Sequence, residues 1–321
     1  ALPIYTVAIA MGPAGLVSRM VPARFNTAWT FAGAAAPGQI GVDELIARYR
    51  VDDATAATRV FGIGGLPLGH SASPAMHRAA FAAAGIDAVF VPVETADAAE
   101  LLDLGEAIGF EGFAITAPLK TKVAASSQVH VDSHARALGA INTLRRRPEG
   151  GWDGRNFDAA AFRAPLEGDG VVLHGRRAVV LGAGGAARAA VEELRSLGAV
   201  GEIAARDRAK GEALAATLGV ATSEFPPSGT AAVVVNATPV GTAPRVNESP
   251  VPAGVVSAEL AYDLVYNPED TTFLKDARRN GARTIGGLEM LVQQAARQCE
   301  WWTGARVDLD VFRRAAQEFI R

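Results

Sequence analysis

The chain has 321 residues, enough for two domains that each bury a core, and its 31 basic and 34 acidic side chains leave a net charge of −3. That balance gives no footing for nucleic-acid or acidic-surface binding, and no apolar run reaches the length of a membrane span. The single cysteine, Cys299, excludes an intramolecular disulfide and fits a reducing, cytoplasmic setting.

In chain order, the opening ALPIYTVAIAMG lacks the basic stretch of a signal peptide and reads as a buried strand. Residues 1–57 alternate strand and helix twice, as YTVAIA, PAGLVSRMV, AWTFAG and VDELIARYR. Two βα units cannot close a core alone, because a parallel sheet wants helices on both faces. The small, polar VDDATAAT that follows has the composition of a linker. Residues 58–165 start with the strand RVFGIGG, a Gly/Pro turn and a helix from about Pro74 to Ala84. Strand AVFVPVE, a helix over 96–107 and strand GFAIT continue a βαβαβ order, which predicts a parallel sheet. INTLRR and GWDGRN read as antiparallel additions to it. The alternation restarts over 166–287 with RRAVVLGAGGAARAAVEEL, GEIAARDRAKGEALAATL, AAVVVNATPVG and ELAYDLVY. From Gly287 to Arg321 two helices are expected, 288–321 completing the 58–165 domain. The fold class is α/β.

VVLGAGGAARAAV sets Gly182, Ala183, Gly184, Gly185 and Ala186 between an apolar strand and an Ala-rich helix. Glycines here permit a tight turn and let backbone N–H groups approach a pyrophosphate at the helix N-terminus, with Ala187 small enough for close helix–strand packing. A plain βα turn is the alternative, and the strand–turn–helix context favours the dinucleotide site. About 20 residues on, where an NAD site places an acid for the ribose 2′-hydroxyl, the chain reads ARDRAK. Arg206 and Lys210 would hold a 2′-phosphate there, which points to NADP; Asp207 leaves NAD open.

Four lysines occur against a combined Lys+Arg count of 31, and the first of them is Lys120 in GFAITAPLKTKV. Every earlier basic side chain is arginine, so a lysine here asks for a reason. An ammonium (pKa about 10.4) can give up and regain a proton; a guanidinium (above about 12) effectively cannot. Lys120 follows Thr116 and Pro118 at the end of a predicted parallel strand, where open α/β sheets bind ligands. Lys122, two residues on, should point elsewhere. Asp158 in GWDGRNFDAAAF stands where strand passes into helix. It reads either as a first-turn acid or as a carboxylate that steadies an ammonium.

From about Arg59 to Gly304 the sequence resembles the shikimate dehydrogenase family. GLPLGHSASPAMHRAAFAAAG is similar to the family's substrate-entry motif, with Ser71 and Ser73 matching serines that bind the shikimate carboxylate. GFAITAPLK matches the motif ending in the catalytic lysine, Lys120, with Thr116 on the substrate. GAINT supplies Asn142, and RNFD supplies Asp158, the lysine's partner. GAGGAAR, NATPVG and YDLVYNP follow in family order, implying cofactor contacts at Asn236, Thr238 and Leu264, with Tyr266 near the substrate ring. GGLEMLVQQAA places Gly287 near the cofactor and Gln294 on the substrate. The resemblance implies a substrate domain plus a Rossmann NADP domain, no metal, and the reduction of 3-dehydroshikimate to shikimate in aromatic amino-acid biosynthesis. Departures are Ala114 for the usual Asn or Ser, Phe157 for the usual Thr, and Ala205 and Asp207 around Arg206. The rivals are an NAD-dependent quinate/shikimate dehydrogenase and a non-catalytic quinate-pathway sensor on the same fold.

GPAGLVSRMVPARFNTAWTFAGAAAPGQI resembles the last two βα units of a type I 3-dehydroquinate dehydratase, the end of a (β/α)8 barrel. Arg19 and Gln39 match residues that hold dehydroquinate there, and Ala35 replaces a usual Ser. That chemistry runs through a Schiff-base lysine, yet no lysine precedes position 120 and no histidine precedes His70. The resemblance therefore implies the fused dehydratase–dehydrogenase architecture without dehydratase activity from this chain, and a segment dispensable for shikimate oxidation.

Overall fold

Residues 9, 15–25, 27, 30–33, 39–69 and 71–320 are described by the structure, a computed structural model. They divide into two units, 1–157 with 295–319 and 158–294 with 320–321. Of the strand expected at 5–10 only Ile9 lies among the described residues, and residues 30–33 of the strand expected at 28–33 are described and form no strand. The two helices between and after them are present as α1 (Leu16–Met20), followed by a 3-10 turn (Pro22–Phe25), and α2 (Val42–Tyr49). In α2 the i,i+4 spacing sorts the side chains: Leu45 and Tyr49 are buried while Val42 and Ile46 are exposed. The helix ends at Arg50, which takes a left-handed conformation at φ 53°.

The first sheet is built from β1 (Arg59–Gly65), α3 (Ser73–Ala83), β2 (Ala88–Glu94), α4 (Ala98–Ile108), β3 (Gly112–Ile115), α5 (Leu119–Ala124), β4 (Val129–Val131), α6 (Ser133–Leu138), β5 (Thr143–Arg146) and β6 (Trp152–Arg155). Its strand order is β2-β1-β3-β5-β6-β4. β1 pairs in parallel with β2 and β3, and β5 runs antiparallel to both β3 and β6, as expected for INTLRR and GWDGRN. Period-2 alternation sends Val60, Val89, Val91 and Val93 to one face. Phe61 and Phe90 go to the other, in an aromatic cluster with His77, Phe81, Trp302 and Phe312.

The valine face is where the two described helices of the first 57 residues pack. Val17, Met20, Val21, Leu45 and Tyr49 belong to the same continuous core as Val60, Val89, Leu101 and Phe113. Helices α1 and α2 thus hide their apolar side chains on the neighbouring sheet. No unit boundary falls near residue 58, and the described helices of the segment share one core with the first sheet. The stretch expected to be a linker is a tied turn: the Thr58 hydroxyl accepts from the Thr55 amide at 2.9 Å and donates to Asp87 Oδ2 at 3.0 Å.

The second unit runs α7 (Asp158–Asp169), β7 (Arg177–Leu181), α8 (Gly185–Ser196), β8 (Val200–Ala204), α9 (Arg208–Leu218), β9 (Ala221–Thr222), β10 (Ala231–Asn236), β11 (Ala258–Asp263), α10 (Thr272–Arg279), β12 (Arg283–Ile285) and the start of α11 (Gly287–Thr303); α12 (Leu309–Ile320) follows. Every pairing is parallel and the order is β12-β11-β10-β7-β8-β9. This is the doubly wound dinucleotide-binding arrangement, whose strand order reverses between β7 and β10. The boundary comes earlier in the chain than the sequence led one to expect. Phe162 and Leu166 of α7 join the second core, and Phe162 stacks on Tyr262 at 4.9 Å.

Candidate active site

Five of the expected residues gather in the first unit, at the C-terminal ends of β1 and β3. The chain leaves β1 at Gly65, where a Cβ would lie 2.4 Å from Thr116 Cγ2 and 2.9 Å from the Ala117 carbonyl oxygen. Only glycine leaves Thr116 its place. Ser71 stands in the turn before α3, its hydroxyl accepting from the Ser73 amide at 3.3 Å, and Ser73 opens that helix. Thr116 donates its backbone N–H to the Gly64 carbonyl at 2.9 Å, and Lys120 is the second residue of α5. Two backbone bonds stitch the lysine segment to Asn142: Ile141 N–H to the Lys120 carbonyl at 2.9 Å, and Ile115 N–H to the Asn142 carbonyl at 2.7 Å. Lys120 is half-buried, whereas Lys122 is exposed and donates to the Ala96 carbonyl at 2.8 Å. Phe157, where the family's usual Thr is absent, packs edge-on against Trp301 at 5.8 Å. The Trp301 indole in turn carries the guanidinium groups of Arg145 and Arg155 at 4.7 and 4.8 Å.

The remaining expected residues lie in the second unit. Asp158 sits in the first turn of α7, Tyr266 beyond β11, and Gln294 on α11. Burial pushes the Tyr266 phenol up, so it stays a neutral hydroxyl. The glycine turn joins β7 to α8. Gly182 has φ 116° and lies against Thr238, whose Cγ2 would be 3.1 Å from a Cβ there. Nothing lies within 4 Å of the Cβ positions of Gly184 and Gly185, the cap and first residue of α8. That leaves room, flanked by Ala183 and Ala186, for a pyrophosphate to meet the helix N-terminus. Gly287 is needed for a different reason: a Cβ would fall 2.5 Å from the Leu264 carbonyl oxygen, so the start of α11 rests directly on the Leu264 backbone.

Around the expected 2′-phosphate position the structure sorts the charges. The carboxylate of Asp207 caps α9, accepting from the Lys210 amide at 3.2 Å, and its other oxygen lies 3.1 Å from Lys210 Nζ. These contacts hold its pKa below the usual carboxylate range, the backbone N–H of Lys210 contributing most. The acid that left NAD open is therefore spent on its own helix, together with Lys210. Arg206 is exposed and has no ion pair among the described residues. The residues present fit a dinucleotide carrying a 2′-phosphate.

Asn236, expected on the cofactor, is fully buried at the end of β10. Its Oδ1 accepts from the Thr238 amide at 3.0 Å and hydroxyl at 2.7 Å, and its Nδ2 donates to Asp263 Oδ1 at 2.9 Å. Asp263 also takes the Val265 amide at 2.9 Å and the Thr271 hydroxyl at 2.6 Å. Burial nevertheless pushes this carboxyl up to about 6, against the pull of those three donors. Asp263 thus ties the turn that carries Thr238 to the segment that carries Leu264. It was missed in the sequence, where the one signal is an acid closing the buried run ELAYD. Arg19, matched to dehydratase chemistry, is only 2% exposed on α1; Ala35 lies outside the described residues.

Residues 63–144 match the family model for the shikimate dehydrogenase substrate binding domain, and 287–317 that for the shikimate 5′-dehydrogenase C-terminal domain. Residues 1–56 match type I 3-dehydroquinase. An NADP(+) shikimate dehydrogenase from Methanosarcina mazei is 37% identical over 279 residues, 82% of this chain and 99% of that protein. The crystal structure of shikimate 5-dehydrogenase from Thermus thermophilus, in complex with NADP(H) and shikimate, aligns with TM-score 0.74 at 34% identity, covering 81% of this chain and 99% of that one. Quinate dehydrogenase from Corynebacterium glutamicum, in complex with NAD, aligns with TM-score 0.71 at 28% identity, covering 80% and 98%. Identity of 37% sustained across 99% of a relative is far above what a shared fold requires, and the chain belongs to the shikimate dehydrogenase family.

Proposed function

We propose that the chain reduces 3-dehydroshikimate to shikimate, reversibly, with NADPH, in aromatic amino-acid biosynthesis. The observation that carries this reading is the stitched set of Thr116, Lys120 and Asn142 at the strand ends, in a chain that matches a shikimate dehydrogenase over 82% of its own length and 99% of that enzyme's. NADPH, when bound, supplies the hydride. Gly182, Ala183, Gly184, Gly185 and Ala186 would seat its pyrophosphate, Arg206 its 2′-phosphate, and the Thr238, Leu264 and Gly287 segments its nicotinamide side, with Lys210 and Asn236 supporting from their helix cap and buried turn.

Lys120 delivers the proton to the ketone oxygen and takes it back in the reverse direction. General-acid catalysis of this kind contributes about 10²–10⁴-fold. Asp158 is assigned to hold the ammonium in its protonated, oriented form. The hydroxyls of Ser71 and Ser73 donate to the substrate carboxylate, while Thr116, Asn142, Tyr266 and Gln294 orient its ring and hydroxyls. Asp207 supports NADP over NAD by facing its own helix, which sets the quinate/NAD reading second. For the first 57 residues we assign a structural role: they carry no lysine and so cannot form the imine of dehydratase chemistry. Their likeness to type I 3-dehydroquinase makes the chain similar in plan to a dehydratase–dehydrogenase fusion. The setting is cytoplasmic, in keeping with one buried, unpaired cysteine; no helix among the described residues is long and apolar enough to cross a membrane.

Steady-state assay of shikimate and quinate, each with NADP and NAD, tests the reading. Shikimate with NADP should lead in kcat/KM by about tenfold or more, a margin of about 1.4 kcal/mol in transition-state stabilisation. Quinate with NAD in the lead would replace this function with the second one.

A further inference from the structure

Period-2 alternation along β2 puts Glu94 on the same face as Phe90. That is the face on which α3 lies, since His77 of that helix stacks on Phe90 at 4.4 Å. Glu94 is the last residue of the strand and stands opposite Gly65 in the β1–β2 pairing. The ladder closes there, with the Thr95 amide donating to the Gly65 carbonyl at 3.1 Å. Beyond Gly65 the chain leaves the sheet for the turn that leads into α3, and its buried amides need acceptors of another kind. The Glu94 carboxylate supplies one: Oε1 accepts from the Leu68 N–H at 2.8 Å. A carboxylate acceptor makes such a bond about twice as strong as a neutral one. Leu68 is 5% exposed, so water is a poor substitute at that amide.

The bonds continue from Leu68 to the serines. Its carbonyl accepts the Ser71 N–H at 2.9 Å, and the Ser71 hydroxyl oxygen accepts the Ser73 N–H at 3.3 Å, where α3 begins. At the other end of the turn the Leu66 N–H donates to the carbonyl of Ala117, the residue after Thr116, at 3.0 Å. Ser71 is thus held by its own amide and used as an acceptor at Oγ, while its hydroxyl proton meets no acceptor among the described residues. The residue is half-buried, and that proton is the group a carboxylate would accept.

We propose that Glu94 is a positioning residue for substrate binding: by holding the Leu68 amide it fixes the turn that presents the Ser71 hydroxyl to the substrate carboxylate. The proposal rests on the reading that Ser71 binds that carboxylate. Glu94 acts as an acceptor, so a neutral amide of the same reach can take its place, and a side chain without oxygen cannot. With the acceptor gone, the Leu68 amide is a buried donor without a partner, which favours opening of the turn.

The test is a double-mutant cycle on Glu94 and Ser71, read as KM for shikimate, with kcat, KM for NADP and thermal unfolding as controls. Glu94→Met keeps the length of the side chain and removes the acceptor. It should raise KM for shikimate about five- to tenfold. A contact made equally in the ground and transition states moves KM alone, so kcat and KM for NADP should each stay within about twofold. Glu94→Gln should hold KM for shikimate within about twofold of wild type. In a Ser71→Ala background, Glu94→Met should add less than about twofold. If Glu94→Met fails to fold, Glu94→Ala, which admits water to the Leu68 amide, must show the same pattern. An unchanged shikimate KM, a Gln variant as impaired as the Met one, or losses that multiply in the Ser71→Ala background would overturn the positioning role while leaving the function intact. A Ser71→Ala variant with wild-type KM would instead refute the serine contact, and this proposal with it.

Discussion

Leu45→Ala tests whether the first 57 residues belong to the dehydrogenase fold. Leu45 is 1% exposed on α2, in the same core as Val60, Val89 and Val91 of the first sheet. Truncation removes three carbons from a packed interior, and such changes cost about 2–5 kcal/mol, depending on how far the site collapses. For a unit of this size each kcal/mol lowers Tm by about 2–4 °C, so a fall of roughly 4–20 °C is expected. Ile46→Ala is the matched control: the neighbouring side chain is 41% exposed, and its loss should stay within about 0.5 kcal/mol. Both variants should turn over shikimate at near wild-type rates at 25 °C, since neither side chain is assigned to the chemistry. Thermal unfolding by circular dichroism reads the stability, and initial rates read the site. A Leu45→Ala shift no larger than that of Ile46→Ala would mean that α2 melts separately from the sheet, and the shared core would be wrong.

Lys120→Ala should lower kcat by about 10²–10⁴-fold with little change in KM for shikimate, whereas Lys122→Ala, which loses only the bond to Ala96, should be mild; near-normal turnover without Lys120 refutes the proton-donor assignment. Arg206→Ala should raise KM for NADP far more than KM for NAD, and equal effects would show that the guanidinium does not meet the 2′-phosphate. Asp263 should leave a mark on stability against pH. Its folded pKa of about 6 lies above the ordinary Asp value near 3.9, so between those limits the folded chain keeps a proton that the unfolded chain has released. Its contribution is thus most favourable below about pH 4 and is lost as pH rises through about 6. Denaturant unfolding at pH 4.5, 6 and 7.5 should show wild type losing stability relative to Asp263→Asn across that window, and parallel profiles would show that Asp263 does not titrate there.

What the sequence made legible was local. The turn around Gly182, the antiparallel pair INTLRR and GWDGRN, and the different burial of Lys120 and Lys122 all follow from spacing within a few residues. The charge question at ARDRAK was not settled by spacing, because an acid at position 207 suits either a ribose contact or a helix cap. Deciding between them requires knowing that the chain turns into α9 at Arg208, placing the Lys210 amide within reach. Asn236 and Asp263 show a second limit. They close adjacent parallel strands in register, 27 residues apart, and no local pattern pairs a buried amide with a buried acid at that distance. The same holds for Gln298, which reaches Thr143 across 155 residues. The three-residue strand β4 is too short to carry a period at all.

The fate of the first 57 residues follows from where the chain is tied. Arg50 ends α2 in a conformation that favours glycine, and its guanidinium meets Asp53 at 2.9 Å and Asp87 at 3.1 Å. Asp87 also takes the Thr58 hydroxyl, and its carbonyl accepts the Arg59 amide at 3.0 Å. The clasp therefore sits where β1 and β2 begin, while Thr116, Lys120 and Asn142 sit at the opposite ends of the strands. Seven residues of β1 at about 3.3 Å each put some 20 Å between them. The first 57 residues lend side chains to the valine face, but none of them forms the backbone bonds that stitch Lys120 to Asn142. The segment that resembles a dehydratase thus acts on the dehydrogenase through the stability of one sheet, and a change at the clasp should reach the chemistry only by unfolding it.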